Sequence, residues 1–226
     1  MSADLLLFAV FPYVAVFLCV FVTIQRYRTR PFSVSSLSAQ FLESKRHFWG
    51  SVPFHYGVLL VLAGHLLAFL VPRSILWWNQ APLRLYLLEA TGLALAILAL
   101  FGLINTFARR VTDARNRVVT SPMDRVLILL LFIQISSGIG ISLFHGWGSS
   151  WFAASAGPYL WSLVLLAPRI DYIAPFPLLV KAHVTSAFLL VAILPYSRLI
   201  HFLVAPIDYL WRRPQVVRWY ADRSRS

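Results

Sequence analysis

Four histidines lie in two apolar stretches of this chain, His55 and His65 in one, His183 and His201 in the other. An imidazole inside a bilayer is costly unless it has a partner or a task. Its neutral nitrogen is a good iron ligand, and a haem iron accepts one such nitrogen on each axial face. Two antiparallel helices, each with two histidines at different depths, could hold two haems one above the other. With both axial positions filled there is no open site for oxygen or substrate, so such a centre moves electrons. Each histidine could instead make an interhelical hydrogen bond, as in a haem-free anchor or a transporter with a proton relay.

The elements that would position these side chains are readable from hydropathy. The 226 residues are 59% hydrophobic and only 12% charged, with a mean hydropathy of +0.73. Soluble domains carry about a quarter charged residues. Five apolar runs of about membrane-spanning length are predicted at 5–24, 53–71, 87–107, 126–144 and 178–205. The fold class is therefore an all-α, polytopic five-helix membrane bundle, one domain over 1–226 with a tail at 206–226. The last run is longer than a bilayer needs, and Pro195 within it invites a kink. The stretch 146–177 is rich in Trp, Ser and Pro. Its apolar run 159–167, bounded by Pro158 and Pro168, is too short to span. A surface-lying or re-entrant helix is predicted there, either capping a lipophilic pocket or serving as a structural lid.

Charge gives the spans a direction. Arg26, Arg28, Arg30, Lys45 and Arg46 follow the first run; Arg109, Arg110, Arg115, Arg117 and Arg125 lie between the third and fourth. Arg198, Arg212, Arg213, Arg218, Arg223 and Arg225 lie at the C-terminal end. All of these fall on one side of a five-span arrangement, and only Arg73, Arg84, Arg169 and Lys181 fall on the other. The positive-inside rule then places the N-terminus outside and the C-terminus in the cytoplasm. The net charge of +12 is explained by these flanks, with no nucleic-acid partner required. The loop 26–50 and the tail, with Trp211, Trp219 and Tyr220, offer a surface for anionic lipid or an acidic partner subunit. The first run lacks a basic flank before it and carries Asp4, so it is expected to be a retained span and not a cleaved signal peptide. The single Cys19 excludes an intrachain disulfide, a thiolate cluster and a covalently attached haem.

His55 and His65 are ten residues apart, ~15 Å along a helix and about 80° apart in direction. His183 and His201 are eighteen apart, about 27 Å and five whole turns, so a continuous helix would put them on one stripe. With the second span running outward and the fifth inward, depth pairs His55 with His201 near the cytoplasm and His65 with His183 nearer the outside. Gly57 and Gly64 flank the first pair; each could admit a flat macrocycle or serve helix packing. His47 and His145 read as surface or interface residues, with His145 a candidate for proton release.

The chain resembles the membrane cytochrome b (gamma) subunit of respiratory nitrate reductase. The resemblance rests on Phe11-Pro12-Tyr13, Pro53-Phe54-His55, Ala63-Gly64-His65, the segment 124–138, Lys181-Ala182-His183, Pro195 through His201, and Val204 through Leu210. It implies two haem b groups, with His65 and His183 holding the outer one and His55 and His201 the inner one. It also implies oxidation of a quinol, menaquinol or ubiquinol, from the membrane's quinone pool on the outer side. Electrons would pass to a cytoplasmic iron–sulfur subunit and a molybdenum-cofactor catalytic subunit at the cytoplasmic membrane of a prokaryote. The family's quinol site lies beside the outer haem, where Gly64 and His65 match. A lysine of that site has no counterpart in Ala81-Pro82-Leu83-Arg84-Leu85-Tyr86, where Arg84 or Tyr86 could substitute. Related membrane cytochromes serve other cytoplasmic reductases, such as sulfite or heterodisulfide types.

Overall fold

A computed structural model of the chain describes residues 3–29, 45–114, 117 and 120–202. The tail expected at 206–226, with Trp211, Trp219 and Tyr220, lies outside the described residues, as does the side chain of His47. Among the described residues are five helices long and apolar enough to cross a membrane: Ala3–Thr29, Phe48–Leu70, Pro82–Thr112, Pro122–Phe144 and Leu178–Tyr196. They are called the first to fifth spans below. A helix is the form that pairs its own backbone groups inside hydrocarbon, where no water can. Several ends run past the apolar runs because local capping continues them. The third span begins with Pro82 in its first turn. The fourth begins with a capping box in which Ser121 and Asp124 each accept from the other's backbone N–H, at 3.1 and 2.9 Å.

Polar clamps fix how the spans run. Lys181 pairs with Asp4 at 2.9 Å, joining the starts of the fifth and first spans. Arg26 donates to the Pro195 carbonyl at 2.6 Å, joining their other ends. At that same end Asp124 meets Arg110 at 3.5 Å and Arg198 at 3.0 Å, tying the third, fourth and fifth spans. One end of the bundle is thus basic. The other carries the short helices of the connecting segments and is called the lid end.

The second span packs along the third, the third on the fourth, the fourth on the fifth, and the fifth on the first. The second–third contact is made through glycines. A Cβ on Gly102 would stand 2.3 Å from the Phe54 nitrogen, and one on Gly57 would stand 2.6 Å from the Leu95 oxygen and the Ala99 nitrogen. Gly57 therefore serves helix packing. Gly64 has no neighbouring atom within 4 Å of where its Cβ would be. Among the described residues, the second and fifth spans share no extended packing with each other.

The lid end is built from helix Gly148–Trp151, a π turn Phe152–Ala156 and helix Gly157–Val164. Its buried core joins Phe8, Ala156, Tyr159, Leu163 and Ile173. Pro12 has no N–H to offer the carbonyl four residues earlier, and the first span widens into a π turn at Leu6–Val10 just before it. The Tyr159 hydroxyl donates to that Phe8 carbonyl at 2.8 Å. Burial, with Tyr13 nearby, pushes this phenol up, which keeps it a neutral donor. The predicted short helix is thus present and fastened to the first span, while Leu165 and Leu166 beyond it stay 71% and 77% exposed.

The fifth span corrects the expectation of one helical stripe from His183 to His201. The α-helix ends at Ile193; a 3₁₀ turn Leu194–Tyr196 follows, Ser197 is extended (φ −106°, ψ 177°), and a second 3₁₀ turn covers Arg198–Phe202. Pro195 is the cause: without its N–H and with its ring against the preceding turn, the α-helix cannot continue. The distance and direction computed for a straight helix do not apply to this pair.

Candidate histidine pairs between the second and fifth spans

The turn after Pro195 brings His201 back toward the second span. The ring centroids of His55 and His201 are 6.3 Å apart and tilted by 58°. His55 Nδ1 lies 2.7 Å from the Ser51 carbonyl, and His201 Nδ1 lies 2.6 Å from the Arg198 carbonyl. Donation from Nδ1 to a carbonyl fixes the tautomer and leaves the Nε2 lone pair for a metal. Metal–imidazole bonds of about 2 Å would set two ring centres roughly 6 Å apart across one ion. The observed separation fits that span.

The second pair sits toward the lid end. His65 Nδ1 is 2.9 Å from the Val61 carbonyl, and the His65 ring meets Phe152 edge-on at 5.1 Å. His183 stands on the fifth span, in the helix Leu178–Ile193. Its ring is held by the fourth span. Nδ1 is 2.9 Å from the Ser137 hydroxyl, and the Gln134 amide donates to Nε2 at 3.1 Å. Ser186 in turn donates to the Gln134 oxygen at 2.5 Å. Gly138 makes room, since a Cβ there would stand 3.1 Å from the His183 ring. Gln134 escaped the sequence reading although it carries a signal: it is an amide in the middle of a membrane span, where polar groups are expensive. Arg26 and Arg198 stand in the sequence as flanking charges, and Asp124 only as the start of the segment 124–138; their meeting depends on which span ends adjoin.

The residues expected at a quinol site lie in and around the lid. Arg84 and Tyr86 belong to the first turns of the third span. Arg84 stacks over Trp77 at 4.8 Å and Trp78 at 5.3 Å, and its buried Nε has no hydrogen-bond partner among the described residues. Tyr86 meets Trp147 edge-on at 5.3 Å. Glu89, one turn further along that face, accepts from the Ser149 N–H and hydroxyl at 2.8 and 2.7 Å. A cavity of about 300 Å³ opens between the lid and the fourth and fifth spans, lined by His145, Gly146, Trp151, Phe176, Pro177 and Val180. Val180 is one turn from His183, and Trp151 adjoins the Phe152 that touches His65.

Five helices long and apolar enough to cross a membrane define a polytopic membrane protein. The profile of the nitrate reductase gamma subunit family matches residues 4–220, and the chain belongs to that family. It is 28% identical over 216 residues to the nitrate reductase gamma chain of Bacillus subtilis, covering 94% of this chain and 97% of that one. It is 27% identical over 232 residues to the respiratory nitrate reductase 1 gamma chain of Escherichia coli, covering 95% and 97%. The nitrate reductase-like protein NarX of Mycobacterium tuberculosis is 31% identical over 214 residues; the match takes 92% of this chain and 32% of that longer protein. The chain is thus a membrane subunit of a nitrate reductase, an oxidoreductase with further subunits.

Proposed function

We propose that this chain is the quinol-oxidising, electron-carrying subunit of its complex. His65 and His183 hold an outer haem b, and His55 and His201 hold an inner one. The observation that carries this reading is the His55–His201 pair, 6.3 Å apart, with Nδ1 of each ring engaged by a carbonyl of its own turn. A haem b with both axial positions filled supplies one-electron transfer and has no open site for other ligands. The chain's own residues orient the imidazoles and keep water out of the bundle. Binding metal at His183 Nε2 requires the Gln134 amide to give up its hydrogen bond there.

The lid end is the outer end, by the positive-inside rule, and there the quinol headgroup docks. The aromatic-lined cavity is at the small end of ligand pockets and can take one ring. Gly64 leaves open space beside His65. Arg84, which stacks over Trp77 and Trp78, and Tyr86, which meets Trp147, are the candidates to hydrogen-bond a quinol oxygen. His145, at the cavity wall, is the side chain type that exchanges a proton near neutral pH. Protons leave outward while electrons go inward to an iron–sulfur subunit and then to a molybdenum-cofactor subunit. Each charge moved across 100 mV is worth about 2.3 kcal/mol.

The test is a reduced-minus-oxidised spectrum of the complex in membranes, with haem counted per chain and reduction driven by added quinol. Two low-spin b haems reduced by quinol are expected. A spectrum without b-type bands would sink the reading and leave the histidines to packing or proton relay.

A further inference from the structure

We propose that Asp124 positions the inner pair, acting on His201 through Arg198; the inference rests on the haem reading above. The Arg198–Phe202 turn that carries His201 follows an extended residue and has five residues of its own. A 3₁₀ turn this short does not orient a side chain by itself. Two side chains from other spans hold it. Arg26 takes the Pro195 carbonyl at 2.6 Å, and Asp124 Oδ1 takes the Arg198 Nε at 3.0 Å.

Asp124 is itself immobilised. It is 3% exposed, closes the capping box with Ser121, and meets Arg110 through its other oxygen at 3.5 Å. The Arg198 side chain is therefore anchored, and the carbonyl of that same residue receives His201 Nδ1 at 2.6 Å. The line from Asp124 to Arg198 to His201 is continuous. Among the described residues, His183 is held instead by the neutral Ser137 and Gln134. The two haem sites thus depend on different supports, and loss of the Asp124 carboxylate should act on one alone. It would remove the carboxylate that Arg110 and Arg198 both face.

Asp124→Asn in the intact membrane complex tests this. Haem per chain is expected to fall from two toward one. The remaining low-spin signal and midpoint potential should be those of the outer haem, and any retained inner haem should turn high-spin. Asp124→Glu, which keeps the charge, should restore most of the inner signal. Arg198→Gln breaks the same link while Asp124 stays with Arg110, and should give the same selective loss. Two low-spin haems with wild-type potentials in Asp124→Asn or in Arg198→Gln would overturn the proposal. So would parallel loss of both haems at equal chain level in Arg198→Gln, which marks a general packing role. The wild-type spectrum separates the two claims: without b bands the haem reading fails, whereas two wild-type haems with unchanged variants defeat the Asp124 link alone.

Discussion

The His55 and His201 rings lie 6.3 Å apart and are tilted by 58° to each other. Each ring has its Nδ1 against a carbonyl of its own turn, Ser51 for one and Arg198 for the other. The orientation of each ligand is set by its own local backbone, so little ordering remains to be done when a metal is bound.

Replacing either member of this pair should therefore remove one haem. His55→Ala or His201→Ala should lower haem per chain from two to one and leave the outer spectrum unchanged. His65→Ala or His183→Ala should do the converse. Pyridine haemochrome counting with low-temperature spectra checks it; loss of the same haem from His55→Ala and His65→Ala would contradict the pairing.

The His183 support makes a prediction about potential. Ser137 accepts from Nδ1 at 2.9 Å, which raises the basicity of the ligand. Ser137→Ala should favour the reduced iron and move the outer midpoint upward. A tenfold change in preference would be about 59 mV. A redox titration resolves the two haems, and the inner one should stay put.

Gly102 tests the fold itself. Its hypothetical Cβ would sit 2.3 Å from the Phe54 nitrogen and 2.7 Å from the Gly50 oxygen. Both are backbone atoms and cannot rotate away. Gly102→Leu should push the second and third spans apart, with a loss at the upper end of the usual overpacking cost, about 3 kcal/mol or more. Gly64→Ala meets no atom and should leave stability unchanged. Thermal denaturation in detergent distinguishes the two.

Tyr159→Phe removes the donor that Pro12 made necessary. The Phe8 carbonyl would be left unpaired in a buried core, at a cost of about 1–3 kcal/mol. The midpoint of thermal unfolding should drop while the haem spectrum persists. An unchanged midpoint would show that another donor reaches that oxygen.

Arg84 and Tyr86 address the quinol. Arg84→Leu should keep both haems reducible by dithionite and raise the quinol concentration needed for half-maximal reduction by roughly tenfold, the value of one charge-assisted hydrogen bond. Tyr86→Phe should have a smaller effect in the same direction. Equal quinol dependence in wild type and both variants would remove these residues from the site.

The five spans and the common end of their basic flanks were legible in the one-dimensional pattern, because hydrocarbon demands about 20 apolar residues and a closed backbone ladder wherever a chain crosses. The same pattern, with opposite span directions, predicted His55 beside His201, and their ring centroids lie 6.3 Å apart. The route by which they meet was not legible. A straight helix from His183 to His201 was the simplest reading, and Pro195 signalled a kink without its direction. That direction comes from Arg26 on the Pro195 carbonyl and from Asp124 on Arg198. These are contacts between spans far apart in sequence, and no local propensity encodes them. Gly57 shows the same division: its residue type suited a macrocycle or a helix equally, and the Leu95 and Ala99 backbone beside it decided for the helix. Residue type and spacing thus determined what the chain crosses and which chemistry it can hold. Only the packing of spans decided which carbonyls, carboxylates and amides stand behind each imidazole.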